Sequence, residues 1–209
     1  MTKRATIFLL AMIFLGGCKK KAEGPPSPSQ VQADSIPDAE PPQIDVGMSV
    51  EQAYEAIPHR RTIWDDADTT VPADERAYLD KIFQVLDEGV AIRVAGMQNY
   101  AAGNFDSSDP AAEYGQLIAF VKGMQAPKEL AAYHQDVIAG LTGQQQFFAE
   151  WKAQGGSFGY AENVASHPAV QRASAALRAA YGQLMAKFPN EAAHNKDAFF
   201  DYHCALDFL

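Results

Sequence analysis

Between residues 72 and 102 the large apolar side chains fall at Leu79, Ile82/Phe83, Leu86, Val90, Val94 and Met97. Steps of three and four place them on one side of a helix, and the strict alternation of a strand is missing. The same period returns four times further along. It runs through Tyr114, Leu117, Ile118, Val121 and Met124, then Leu130, Val137, Leu141, Phe148 and Trp151. It resumes at Val170, Leu177, Tyr181, Leu184 and Phe188, and again at Phe199, Tyr202, Leu206 and Leu209. Each stripe can bury itself only against another, so the predicted fold is all-α: a helical bundle of about four long helices plus two short ones.

Punctuation residues set the expected boundaries. Ser49 with Gln52 three residues on is a capping box for a short helix that Pro58 ends. Asp109-Pro110 supplies an N-cap and a proline at the first helical position. Pro127 starts the next helix, "QGGSFGY" stops it, and Ser166 with Pro168 opens another. Asn190 is the expected cap of a terminal helix running to Leu209, apolar nearly all round and so buried between neighbours.

The first forty-four residues read differently. Lys3 and Arg4 precede an apolar run from Ala5 to Leu15, broken only by Thr6. That run has the length of a signal-peptide core, whereas about 20 apolar residues are needed to span a bilayer. Leu15-Gly16-Gly17-Cys18 resembles the lipobox of bacterial lipoprotein precursors, with leucine at −3 and a small residue at −1; glycine at −2 departs from the usual alanine or serine. The resemblance implies a signal peptide over 1–17, removed after Gly17, and acylation of Cys18. Two or more acyl chains anchor stably, where one does so only marginally. Lys19, Lys20 and Lys21 would lie at the anionic bilayer surface. Lysine, not aspartate, after the cysteine favours the outer over the inner membrane within the same resemblance. The expected address is thus the cell envelope, with the domain in the periplasm.

Residues 18–44 hold six of the twelve prolines, all beyond Ala22, and few large apolar groups. Such a segment is expected to be a disordered, partly extended linker. Residues 45–209 are enough for one α-helical domain. The formal charge is −9, and −11 once residues 1–17 with Lys3 and Arg4 are removed. The acidic balance, with no basic domain behind Lys19–Lys21, argues against nucleic acid as a main partner. With Cys18 committed to lipid, Cys204 is the one remaining thiol, so no internal disulfide is expected.

Three groups of residues carry potential chemistry. On the terminal helix, His194, Asp197, Asp201 and Cys204 share a face at 100° per residue, with His203 pointing elsewhere. Histidine, carboxylate and thiolate ligate metals, but this set extends over about 15 Å and needs help from other helices. Met97 with His134 or His203 is the kind of pair that would hold a b-type haem; a c-type haem lacks its Cys-x-x-Cys-His. A single Glu191-x-x-His194 falls short of a di-iron bundle, which needs two. His59, Arg60 and Arg61 concentrate cation in one loop. They read either as an anion or partner clamp, or as helix-end compensation with ion pairs to nearby acids.

No Gly-x-Ser-x-Gly, His-Glu-x-x-His or P-loop occurs, and Cys204 has no activating base nearby in sequence, so no catalytic residue is assigned. The expectation is a membrane-anchored lipoprotein with a non-catalytic binding or adaptor domain and no cofactor. Its partners would be the bilayer through Cys18 and another envelope protein or a small ligand. The alternative is a haem- or metal-binding bundle.

Overall fold

The computed structural model describes residues 39–155 and 162–208. The segment 1–17, Cys18, the linker up to residue 38, most of "GGSFGY" and Leu209 lie outside the described residues. Seven α-helices follow in order: α1 Val50–Glu55, α2 Ala73–Ala101, α3 Pro110–Gly123, α4 Ala131–Ala153, α5 Glu162–Ser166, α6 Pro168–Lys187 and α7 Ala193–Leu206. A 3-10 turn, Lys128–Leu130, leads into α4. No strand occurs among the described residues. The all-α bundle is therefore present, built on five longer helices.

The expected punctuation works at most ends. Ser49 and Gln52 close a full capping box on α1. The Asp109 side chain accepts from Ala112 N–H, with Pro110 at the first position of α3. At α6 the cap is His167 rather than Ser166, because the imidazole Nδ1 accepts from Ala169 N–H at 3.2 Å. The terminal helix starts at Ala193 rather than after Asn190. Glu191 in that turn is instead drawn toward Thr70 and Asn195.

Helix directions follow from which residues meet. Gly96 of α2 faces Pro110 of α3, and Tyr114 of α3 donates to Gly89 O of α2, so that pair is antiparallel. Gln145 of α4 donates to Ala111 O, and Gln183 of α6 to Asp136, continuing the up-down order. Ser174 of α6 bonds Asp207 just past α7, while Tyr181 packs on Phe200. α7 then lies parallel to α2, with Phe83 on Phe199 at one level and Gly89 against Leu206 further along. α2, α3, α4, α6 and α7 close a ring. Enclosure is most complete at α2, where every residue from Gly89 to Gly96 is buried. α7 is enclosed too, but leaves His194, Asp197 and Phe200 exposed.

α4 and α6 approach most closely through small residues. A Cβ on Gly143 would sit 2.8 Å from Ala169 O and 2.7 Å from the Ala173 Cβ, so glycine sets this spacing. The chain before α2 is a strap without regular structure apart from α1. It is attached from residue 39 onward rather than 45, since Lys81 Nζ donates to Ala39 O, Pro41 is buried and Ile44 N–H donates to Glu88.

Candidate functional site

The two constellations that stand out in the sequence meet each other. Residues 59–71 run over α7, in the opposite direction to it. The Cys204 Sγ lies 3.8 Å from His59 Nδ1. Asp201 accepts from the Thr62 N–H at 3.2 Å and from its hydroxyl at 2.6 Å. Arg60 lies 3.9 Å from Asp197, both largely exposed, and His194 Nε2 lies 2.8 Å from Ile63 O. The helix face shared by His194, Asp197, Asp201 and Cys204 is thus the face on which the strap rests.

Inner residues complete the attachment. Trp64 is buried against Phe83 and stacked on Phe199. Asn195 accepts from Asp65 N–H at 2.9 Å and donates to Asp65 O, Asp68 O and Glu191. Glu191 takes the Thr70 N–H and hydroxyl at 2.9 and 2.7 Å. Burial pushes the Glu191 carboxyl up, but hydrogen bonds from Asn195 and Thr70 outweigh it and hold its pKa below the usual value.

Arg61 turns the other way. Its guanidinium bonds Asp87 through Nε at 3.2 Å and Nη2 at 2.5 Å, and Glu51 through Nη1 at 2.9 Å. Tyr54 donates to the second Asp87 oxygen at 3.0 Å. His59, Arg60 and Arg61 therefore diverge, and the two arginines meet acids of their own chain. For Arg60 the acid is Asp197 on the terminal helix, one of the partners expected beside Asp65 and Asp66; for Arg61 they are Asp87 and Glu51.

Two of the residues considered for a haem lie far apart. His134 Nδ1 is 2.9 Å from the Tyr78 hydroxyl. Met97 lies nineteen residues beyond Tyr78 on α2, about 28 Å along the helix axis, so Met97 and His134 cannot share one haem. Among the described residues no three of His, Cys, Asp or Glu come together as metal ligands. His203 is different. Its Nδ1 lies 2.6 Å from Phe199 O, which only accepts, so Nδ1 carries the proton and Nε2 is a bare acceptor. That Nε2 is buried without a hydrogen-bond partner, and burial lowers the pKa to about 4.

Cys204 beside His59 brings together a thiol and a base 145 residues apart, a pairing invisible to any spacing rule. Activated cysteines carry a lowered pKa. Here burial raises it, with Asp207 and Asp201 adding to the rise. His59 has no further hydrogen bond among the described residues to orient it as a general base. The pair is a contact between the strap and α7.

Asp87, Asn195 and Thr62 hold the site together and have no motif. Asp87 does leave one trace: with Glu88 it interrupts the apolar run between Val85 and Val90. A buried carboxylate there demands a partner from elsewhere. No family model, curated protein or solved structure matches the chain, so its chemistry is read from its own geometry.

Proposed function

We propose that the chain is an exported bacterial lipoprotein, anchored through acylated Cys18, whose helical bundle works by binding and not by catalysis. The address rests on the basic start, the eleven-residue apolar run and the Leu15-Gly16-Gly17-Cys18 box. Lys19 favours the outer membrane over the inner. The observation that carries the binding reading is the use to which the polar residues of α7 and the turn before it are put. Asp201, Asn195 and Glu191 hold the strap, and the one thiol near a histidine has a raised pKa. Groups committed to structure are not free to turn over a substrate.

Intact-mass analysis of the protein from native membranes tests the anchor. Cleavage after Gly17 with a diacylglyceryl adduct on Cys18 is expected, and Cys18→Ser should move the protein out of the membrane fraction. An unmodified Cys18, or an uncleaved leader, overturns it. Crosslinking in those membranes, followed by identification of what the bundle holds, tests the binding half. Steady substrate turnover that is abolished by Cys204→Ser would overturn that half.

The bare Nε2 of His203 favours a second reading, a bundle that binds haem or a metal ion. A Soret band or near-stoichiometric metal in the purified protein, lost in His203→Ala, would establish it over the first.

A further inference from the structure

Beside the strap, α6 and α7 leave a half-open groove of about 200 Å³, floored by Leu177 and His203 and walled by Tyr181, Phe200 and Cys204. Phe200 is one of two large apolar side chains strongly exposed among the described residues, at 48%, and it meets Tyr181 edge to face. Exposed Phe200 over half-buried Tyr181 gives the recess an apolar wall that water solvates poorly. The rim carries Arg178, exposed and with no ion pair or hydrogen bond among the described residues, on a chain whose net charge is −9. Arg60 and Arg61, by contrast, each have a carboxylate partner. Asp207 also lines the groove and accepts from the Ser174 hydroxyl at 2.6 Å, one helical turn from Arg178.

We propose that this groove binds a small carboxylate with an apolar body, its head on Arg178 and its tail along Leu177, Tyr181 and Phe200. The inference deepens the binding reading and rests on it. At roughly the 30 Å³ that a water occupies, the volume suits about seven non-hydrogen atoms. Guanidinium offers a carboxylate two parallel hydrogen bonds, and apolar walls give the tail a reason to leave water. His203, kept neutral by burial, leaves the floor uncharged, so the cation that selects the head stands at the rim. The occupant is therefore oriented head outward.

Cys204 lines the groove and reports on it. In native membranes holding the full chain, N-ethylmaleimide alkylation of Cys204 is followed by peptide mass spectrometry. It is measured with increasing hexanoate, hexanol, hexylamine or acetate. Hexanoate is expected to slow alkylation saturably, with hexanol and acetate needing at least about tenfold more. Arg178→Met should raise the hexanoate midpoint roughly tenfold and leave that of hexanol in place. Binding of radiolabelled hexanoate to the same membranes, with and without Arg178→Met, is measured in parallel and does not depend on thiol reactivity. Hexanoate no better than hexanol, hexylamine best of the four, or no Arg178-dependent binding overturns the proposal. Should that happen while crosslinking still recovers a partner, the carboxylate falls and the binding reading stands. Cys204-dependent substrate turnover would remove the reading itself.

Discussion

His203 and Asp201 are two residues apart on α7, one buried without a partner at Nε2 and the other bonded to the strap. His203 is buried neutral, its pKa lowered from 6.5 to about 4. Below pH 6.5 the unfolded chain takes up a proton that the folded chain refuses, so stability falls with pH until about 4 and then levels. The loss is about 1.4 kcal/mol per pH unit, roughly 3 kcal/mol in all. His134, whose pKa burial also lowers, acts in the same direction. Urea unfolding at a series of pH values should show this slope, and His203→Phe should flatten it by close to one proton. Asp201 stabilises as the acceptor of two hydrogen bonds from Thr62. Removing it in Asp201→Ala leaves Thr62 N–H without its acceptor, and a loss of about 2 kcal/mol in urea unfolding is expected. The sequence displays both residues as candidate ligands. It conceals that Asp201 has Thr62 as partner, because 139 positions separate them and hydrogen bonds at that range leave no periodic signal.

Among the elements, the helices were legible and the strap was not. Apolar steps of three and four, with Ser49, Asp109 and Pro168 as punctuation, foretell α1, α2, α3 and α6 nearly to the residue. The segment 59–71 has no period. Beyond two local turns, in which Ala67 N–H donates to Asp65 and Val71 N–H to Thr69, its order comes from outside itself. Trp64 is its anchor, stacked on Phe199 with ring centroids 5.3 Å apart. Trp64→Ala should cost about 3–5 kcal/mol. It should also raise amide exchange across 59–71 well before the bundle opens, which hydrogen-exchange mass spectrometry would resolve. At the α4–α6 seam the expected sensitivity is to added volume. Gly143→Ala forces a methyl group onto the Ala169 carbonyl and should destabilise by about 1–3 kcal/mol, although alanine is the better helix former. A lower urea midpoint with an unchanged slope is the expected record.

For the whole molecule, the ordered chain extends further toward the N-terminus than composition suggests. Proline content predicts a linker reaching residue 44, yet Pro41 is buried and Ala39 and Ile44 bond α2. Proline does not prevent order where a neighbouring helix supplies the donors and acceptors. A chain beginning at residue 45 should therefore melt about 2–4 °C below one beginning at residue 39, by differential scanning calorimetry. The strap bears as well on when the fold can be completed. The stretch just before α2 takes its long-range hydrogen bonds mainly from α7 and the turn before it, at sequence separations of 121 to 139. That stretch must therefore wait for the tail of the polypeptide before it can settle. Until the final helix arrives, Trp64 has no Phe199 to cover it, and the last clasp to close lies ahead of every long helix.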